Sequence, residues 1–429
     1  MRLSVFLKLL FKFSHAKIAS YIPNNSKLNI GVVFHGNPLA GGGFHDGLSS
    51  TLLVANLEKD FDFAFYTPDL ENAKSAKKTG LQTKLIKFGR LHKLGYQARK
   101  KNSLFSLLQF FKGLPPLDEQ FEKDGVDLVY FTSPNPLCLF LERLNFVLPV
   151  WDLCHRDHPE FPEVRESFEF ESRESFLNTA LPKATAVIAE SPFGRENLIR
   201  RYRVDPEKVH FIWKPPSTQI LSSAQHESGS FNPRHHAGIP HDANFIFYPS
   251  QFWAHKNHRL IIDALFYLKD RHQVEIFALF CGSDCGNLEA VLNHSKKLGV
   301  SHLIKYVGFA PDEHIPVYYQ ESLALVMPSC FGPTNMPPVE AFALGTPVIA
   351  ADLPGFKDQI GDAGELVNPY EHKALGNKLL QLLEDHDYRK DLIRKGKQRA
   401  AFFSDEERLS TLKLIFSQFE KKQSLWKFD

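Results

Sequence analysis

Residues 327–350 read Met-Pro-Ser-Cys-Phe-Gly-Pro-Thr-Asn-Met-Pro-Pro-Val-Glu-Ala-Phe-Ala-Leu-Gly-Thr-Pro-Val-Ile-Ala and carry the clearest structural pattern in the chain. The apolar run Leu323–Met327, which leads into this stretch, predicts a buried strand. Pro337 and Pro338 fit the first turn of a helix, where a missing N–H group does no harm, and Gly345 fits its end. The stretch therefore predicts a strand, a loop, a helix and the next strand.

The loop before this helix is suited to an anion. Backbone N–H groups at the start of a helix have no partner within the helix and carry partial positive charge. The loop from Phe331 to Met336 is therefore expected to contact a phosphate or sugar hydroxyls. Glu340 is expected in the first helical turn, beside the same ligand.

Pro328-Ser329, then Glu340-Ala341, then Gly-Thr-Pro-Val-Ile-Ala resemble the donor-site signature of retaining GT-B glycosyltransferases of family four. The sequence of the loop is similar to that found in a subgroup of bacterial polysaccharide and O-antigen enzymes. The resemblance implies that Glu340 binds the donor ribose, and that Thr334 and Asn335 contact the donor sugar or phosphate. The family usually has a further glutamate eight positions before the second, and Gly332 stands there in this chain.

The length and composition indicate a globular protein with two cores. The chain has 429 residues, of which 43% are hydrophobic and 23% charged, and one core rarely serves so many residues. Strand-like runs alternate with helical ones, which is typical of parallel α/β sheets. These runs are Leu28–Phe34, Leu128–Phe131, Val147–Leu153, Ala186–Ala189 and Val209–Trp213, then Phe245–Tyr248, Val274–Phe280, Leu303–Val307, Leu323–Met327, Pro347–Ala350 and Glu365–Val367.

We therefore expect an α/β protein of GT-B architecture, in which two Rossmann-like domains face each other across a donor cleft. Residues 1–213 would form the N-terminal, acceptor-side domain. Residues 214–243, rich in Ser, Gly and Pro, are interpreted as the linker. Residues 244–404 would form the nucleotide-sugar-binding domain, and residues 405–429 a C-terminal helix that crosses back to the first domain.

A run of three glycines, Gly41 to Gly43, follows the first strand and precedes a helical pattern that starts near Asp46. Glycine permits close approach of the backbone to a ligand. The run lacks the spacing of a dinucleotide fingerprint, which argues against an ordinary dehydrogenase. It resembles the family's Gly-Gly loop over the donor diphosphate, so Gly42 and Gly43 are expected to bind the donor. A merely flexible turn is the alternative.

The second domain supplies the expected positive charge. In the family, an arginine after the first strand and a lysine five residues later bind the diphosphate, and the matching positions are Gln251 and Lys256. Lys256, helped by His255 or His258, would then stabilise the leaving group. A surface lysine without a ligand is the alternative. Phe309 lies in a stretch that looks like the loop that reads the donor base.

The segment Trp151–Glu163 contains histidines just after a predicted strand. It resembles the family segment in which a histidine contacts the donor sugar, and this role is transferred to His155. A metal pair with His158 is one alternative, although a third ligand is missing from the pattern. A histidine satisfied by a backbone carbonyl is the other. No metal ion or other cofactor is expected.

The basic residues suggest a surface partner. The net charge is +2, but residues 1–45 contain no acidic residue and neither does the interval between Glu71 and Asp118. The apolar and basic segment Leu3–Phe13 predicts a helix that lies on a membrane surface or packs on the protein itself. RNA-binding aromatic motifs are missing, so nucleic acid is not an expected partner. Five scattered cysteines favour a reducing compartment, and the expected location is the cytoplasm, at the inner face of the cell membrane.

The expected activity is a metal-independent, retaining transfer of a sugar from a nucleotide diphosphate to a lipid-linked or polysaccharide acceptor. The subgroup resemblance suggests a mannose-like or rhamnose-like donor. Because Gly332 removes the motif carboxylate, a front-face reaction is favoured over a covalent intermediate. A GT-B sugar-nucleotide epimerase is one alternative. A non-catalytic nucleotide-sugar-binding protein, suggested by Gly332 and Gln251 together, is the other.

Overall fold

The structure is a computed structural model that describes residues 27–36, 42–87, 117–225, 231–332 and 334–427. The segment Leu3–Phe13 and residues 88–116 of the second basic interval lie outside the described residues. The predictions of a membrane-surface helix and of a basic apolar surface therefore stay predictions.

Within the described residues, seven parallel strands form the first sheet, in the order β3-β2-β1-β4-β5-β6-β7. Helices cover both of its faces, so its central strands are almost entirely buried and apolar. The strands are β1 (Asn29–Val33), β2 (Asp62–Thr67), β3 (Lys84–Leu85), β4 (Leu128–Phe131), β5 (Asn145–Val150), β6 (Ala186–Ala189) and β7 (Val209–Phe211).

The second sheet repeats this arrangement. The part of the chain that the structure describes contributes six parallel strands to it, in the order β10-β9-β8-β11-β12-β13. They are β8 (Phe245–Pro249), β9 (Phe277–Cys281), β10 (Ile304–Tyr306), β11 (Leu325–Met327), β12 (Val348–Ala351) and β13 (Glu365–Val367). In both sheets the first strand along the chain, β1 or β8, lies inside the sheet. The next two strands extend the sheet on one side of it and the remaining strands on the other, as in Rossmann folds. The expected pair of Rossmann-like domains is confirmed.

Helices connect the strands and cover the sheets. In the first half they are α1 (Gly42–Val54), α2 (Leu70–Lys78), α3 (Asp118–Glu122), α4 (Cys154–Asp157), α5 (Pro162–Arg165), α6 (Glu169–Ala180) and α7 (Pro192–Tyr202). Between the sheets lie α8 (Thr218–Gln225) and α9 (Pro233–Ala237). The second half contains α10 (His258–Tyr267), α11 (Leu288–Lys297), α12 (Ile315–Glu321), α13 (Met336–Leu344), α14 (Pro354–Ile360), α15 (His372–Glu384), α16 (His386–Ala400) and α17 (Asp405–Gln423).

Two local expectations need correction, and two strands were missed. The glycine run does not precede its helix, because α1 already begins at Gly42 rather than near Asp46. The helix α13 begins at Met336, so Glu340 lies in its second turn rather than its first. Strands β2 and β3 were not predicted, although the alternating phenylalanines Phe63 and Phe65 in β2 are a strand signal.

The last helix, α17, packs against the first sheet. Its buried side chains join the core that contains β1 and β4, and the ring of Phe416 meets that of Phe61 with centroids 5.6 Å apart. Lys413 forms an ion pair with Asp60 at 2.7 Å. The chain therefore returns from the second sheet to the first. The domain limits at 213 and 244 stay a prediction, since the sheets themselves change between Phe211 and Phe245.

Candidate active site

The carboxyl ends of strands from both sheets border one cavity, of about 320 Å³. The loops after β8, β9 and β11 and the start of α13 form most of its wall, and Gly43 and Lys214 close it from the other sheet. Loops at this edge of a parallel sheet are where such folds bind ligands. The cavity brings together the predicted residues Gly43, Gln251, Lys256, Phe309, Thr334, Asn335 and Glu340.

Lys256 is held at the cavity by its backbone. It ends a short 3₁₀ turn, Ala254–Lys256, and its carbonyl accepts a hydrogen bond of 2.9 Å from the hydroxyl of Tyr248. Burial lowers the pKa of the Lys256 ammonium to about 8. Among the described residues, no carboxylate lies within ion-pair distance of this ammonium. Its charge is therefore available to an anionic ligand.

Glu340 is almost fully buried at the base of the cavity. Its Oε2 accepts a hydrogen bond of 2.9 Å from the hydroxyl of Tyr319, and its Oε1 lies 3.4 Å from the backbone nitrogen of Ser217. Burial raises the pKa of this carboxyl to about 7. Glu340 is thus held in one orientation, with the cavity beside it.

The loop before α13 is held in place by the side chain of Gln359, from α14. Gln359 donates to the carbonyl of Asn335 at 2.7 Å and accepts from its N–H at 3.2 Å. Gly332 has a φ of +113°, a conformation that residues with a side chain rarely adopt. A Cβ atom there would also lie 3.3 Å from Nδ2 of Asn335. A glutamate at position 332 would be strained in this backbone conformation.

The end of the cavity beside Phe309 and Gly282 is open and partly apolar. Phe309 is 54% exposed on its wall. Gly282 has a φ of +147°, and a Cβ atom there would lie 2.4 Å from the carbonyl oxygen of Ser250. Gln251 accepts a hydrogen bond of 3.0 Å from the indole of Trp253, which fixes the amide of Gln251 beside the cavity.

Gly43, in the glycine run, lets α1 pack closely on the ring of Trp151. A Cβ atom on Gly43 would lie 3.0 Å from the ring of Trp151. The helix α1 could not approach this indole so closely with a larger residue. Gly43 lines the cavity, and Gly42 opens the helix directly before it.

His155 does not reach the cavity, and the expectation that it contacts the donor is wrong. Its side chain is fully buried, and Nε2 lies 2.8 Å from Oε1 of Glu174 and 3.1 Å from the hydroxyl of Tyr202. Burial lowers its pKa to about 4. The one-turn helix α4 directs the ring into the domain. His158 instead stacks on Phe331, so the two histidines do not form a pair.

Sequence reasoning missed a polar cluster at the end of β6. Lys214 lies 2.9 Å from Oε1 of Glu190 and 3.9 Å from Oδ2 of Asp46. Burial lowers the pKa of Lys214, but the two carboxylates outweigh it and raise that pKa. Thr334 donates a hydrogen bond of 2.8 Å to Oε2 of Glu190. A charged residue directly after a buried strand was the available signal.

A second cavity, of about 570 Å³, adjoins the first. Lys214, Lys256, Thr334 and Asn335 line both cavities. The walls of the second also carry indoles, carboxylates and a guanidinium, from Trp151, Trp253, Asp152, Glu163, Glu166, Glu169, Glu190 and Arg173. The two cavities therefore meet at two lysines and at the loop before α13.

A further contact joins the two halves beside the second cavity. Oε1 of Glu163 accepts a hydrogen bond of 2.9 Å from the backbone N–H of His255 and also meets its ring. Phe331 stacks on that ring, with centroids 3.9 Å apart. Burial lowers the pKa of His255 to about 4, so it is neutral and adds no charge to Lys256.

Comparisons with known proteins agree with this geometry. Residues 53–215 match the family model Glycosyltransferase Family 4, and residues 232–399 match Glycosyl transferases group 1. The chain belongs to the GT-B glycosyltransferases of family 4. The two matched ranges contain β2 to β7 and every strand of the second sheet.

Individual relatives are distant. The chain is 23% identical to O-antigen chain mannosyltransferase B of Escherichia coli over 246 residues, 57% of this chain and 64% of the relative. It is 25% identical to D-inositol 3-phosphate glycosyltransferase of Corynebacterium kroppenstedtii over 243 residues, 55% of this chain and 54% of the relative. The chain thus spans between half and two thirds of these two relatives.

The fold resembles that of Anabaena HepE, solved in complex with UDP-glucose. The TM-score is 0.65 at 18% sequence identity, over 92% of this chain and 99% of the other.

Proposed function

We propose that this glycosyltransferase moves a sugar from a nucleotide-diphosphate donor to a hydroxyl of a glycan or lipid-linked acceptor, with retention of configuration. The observation that carries the proposal is the position of Lys256. Its ammonium borders the cavity without a carboxylate partner among the described residues, near the start of α13. A positive charge and a helix N-terminus together suit a diphosphate.

The diphosphate is the leaving group of this reaction. As the bond between the anomeric carbon and the phosphate oxygen breaks, negative charge grows on the diphosphate. Lys256 and the N–H of Met336, the first residue of α13, stabilise that charge in place, whereas Pro337 and Pro338 have no N–H to donate. Thr334 and Asn335 contact the donor sugar or its phosphate, and Gly42 and Gly43 let the helix α1 approach from the other domain.

The rest of the donor follows the cavity. Glu340 accepts hydrogen bonds from ribose hydroxyls, because its carboxylate is fixed by Tyr319 and Ser217. The base lies toward Phe309 and Gly282, where the cavity is open. HepE binds UDP-glucose and the E. coli relative is a mannosyltransferase. Together with the motif, they support a hexose donor, and we favour a mannose-like or rhamnose-like sugar.

The transfer step is proposed to occur on one face of the sugar. The acceptor oxygen forms its bond to the anomeric carbon on the side from which the diphosphate departs. The acceptor proton passes to the phosphate oxygen that is released, so that no enzyme base is needed. Gly332 offers no carboxylate for a covalent intermediate, which supports this route over double displacement.

The second cavity is the proposed acceptor site. Its indoles, Trp151 and Trp253, and its carboxylates suit a polyhydroxylated glycan. A lipid-linked acceptor would place the protein at the cytoplasmic face of the cell membrane. In the described ranges, no helix has the length and hydropathy needed to cross a bilayer.

A transfer assay tests the proposal. The protein is incubated with UDP-glucose, GDP-mannose or dTDP-rhamnose and a panel of octyl glycosides, and the products are analysed by NMR. We expect release of nucleoside diphosphate and an α-linked product from an α-linked donor. Full activity in both Lys256→Ala and Glu340→Ala would contradict the site. An altered donor sugar would instead indicate an epimerase, and tight binding without turnover a non-catalytic binder.

A further inference from the structure

A buried carboxylate lies beside the junction of the two cavities. Glu190 directly follows β6 and is 6% exposed. It lines the second cavity together with Gly332 and Lys256. Its two partners, Lys214 and Thr334, line both cavities. A sugar that passes from donor to acceptor has to cross this junction.

The two oxygens of Glu190 are in different situations. Oε2 accepts the hydrogen bond of Thr334 at 2.8 Å. Oε1 forms an ion pair with the ammonium of Lys214 at 2.9 Å, and no other donor contacts it among the described residues. A carboxylate oxygen accepts more than one hydrogen bond. Oε1 can therefore still accept a hydrogen bond from a ligand.

The loop across the junction lacks the carboxylate that the family motif places in it. Gly332 stands at the position of the first glutamate, and its φ of +113° would strain a larger residue. Glu190 is bonded to the same loop, two residues further along, through Thr334. A carboxylate of the N-terminal domain, Glu190, thus lies beside the loop in which the motif carboxylate is missing.

We propose that Glu190 takes the place of the carboxylate missing at Gly332. Its Oε1 accepts a hydrogen bond from a hydroxyl of the transferred sugar, and its charge stabilises the positive charge that develops at the anomeric carbon. This role rests on the proposed sugar transfer. Because Thr334 and Lys214 fix the two oxygens, Glu190 acts as a stationary charge and forms no covalent bond to the sugar.

The test is Glu190→Gln in the full chain, with GDP-mannose and UDP-glucose as donors. We expect kcat to fall by about 10²- to 10³-fold, the usual effect of removing one electrostatic contact to a transition state. The Kd values for GDP and UDP should change by less than about threefold, because the diphosphate is bound by other groups. Circular dichroism and thermal melting check that the variant is folded.

Asp60→Asn is the matched control. Asp60 forms an ion pair with Lys413 of α17 at 2.7 Å, and it lines neither of the two cavities. If the loss of a contact between parts of the chain alone matters, both variants lose kcat equally, and the proposal is overturned. We expect Asp60→Asn to lower kcat by less than about threefold.

A second variant keeps the test decisive if Glu190→Gln does not fold. Glu190→Asp retains the charge, but its side chain is one methylene shorter, so the carboxylate lies farther from the sugar. This variant should lower kcat at least tenfold and leave the affinities for GDP and UDP unchanged. A kcat within fivefold of the wild type in either folded variant overturns the role of Glu190. If the wild type releases no nucleoside diphosphate from any donor, the proposed function fails, and this role fails with it.

Discussion

Replacing Lys256 by methionine should stabilise the free protein and nearly abolish its chemistry. Burial lowers the pKa of Lys256 from 10.5 to about 8. At about 1.4 kcal/mol per pKa unit, this is about 3 kcal/mol of unfavourable free energy in the charged folded state at pH 7. Methionine fills a similar volume without the charge. We therefore expect the free energy of unfolding to rise by about 1–3 kcal/mol, since solvent and relaxation reduce the full amount.

The pH dependence gives the sign of this effect. Between pH 8 and 10.5 the folded protein binds fewer protons at Lys256 than the unfolded chain does, so the wild type gains stability as pH rises. The stability advantage of Lys256→Met should therefore be largest below pH 8 and shrink toward pH 10.5. Chemical unfolding at pH 7.5 and pH 10 measures this difference.

The matched control is Lys214→Met. This lysine borders the same cavity, but Glu190 and Asp46 balance its charge. Breaking a buried ion pair typically costs about 3–5 kcal/mol, so Lys214→Met should be destabilised. For Lys256→Met we also expect kcat to fall about 10²- to 10³-fold. A Lys256→Met protein that is less stable than the wild type and retains kcat within fivefold would contradict both the unfavourable burial of this charge and its role in transfer.

Three further predictions concern single residues. The wild type should lose stability as the pH rises from 4.5 through 7, because the folded Glu340 carboxyl has a pKa of about 7 and binds more protons there than the unfolded one. Glu340→Gln should abolish this loss. An equal change in the free energy of urea unfolding between pH 5 and pH 8 for both proteins would contradict this. Gly282→Ala should cost about 2–4 kcal/mol, since its Cβ would overlap Ser250 at a positive φ, whereas Gly286→Ala, with nothing within 4 Å, should cost about 1 kcal/mol; equal losses would count against it. His155→Gln should lower the free energy of unfolding by about 1–3 kcal/mol and leave kcat within threefold of the wild type. A hundredfold loss of kcat in a folded variant would instead indicate that His155 takes part in the reaction.

Several residues of the first cavity could be predicted from the sequence because local signals determine where they lie. Lys256, Thr334, Asn335 and Glu340 each follow a strongly apolar strand or lie at a helix start marked by prolines. Strand ends and helix starts depend mainly on neighbouring residues, and the fold then places them at one edge of a sheet. The second sheet was predicted for the same reason.

The contacts between the domains could not be predicted in this way. Glu190 and Thr334 are 144 residues apart, and no local pattern relates a carboxylate after β6 to a loop after β11. His155 was misplaced for a related reason. A single helical turn, α4, rotates its ring away from the cleft and toward Glu174, and the choice between those two directions depends on packing against α6.

Lys256 is proposed to bind the diphosphate of a sugar donor. Calorimetric titration of the wild type and Lys256→Met with UDP, GDP, uridine and guanosine measures this contact. We expect at least one nucleoside diphosphate to bind the wild type at least about tenfold more tightly than its nucleoside, and Lys256→Met to lose that advantage, about 1.4 kcal/mol or more. Equal binding of the diphosphate by both proteins, or no binding by the wild type, would contradict the claim.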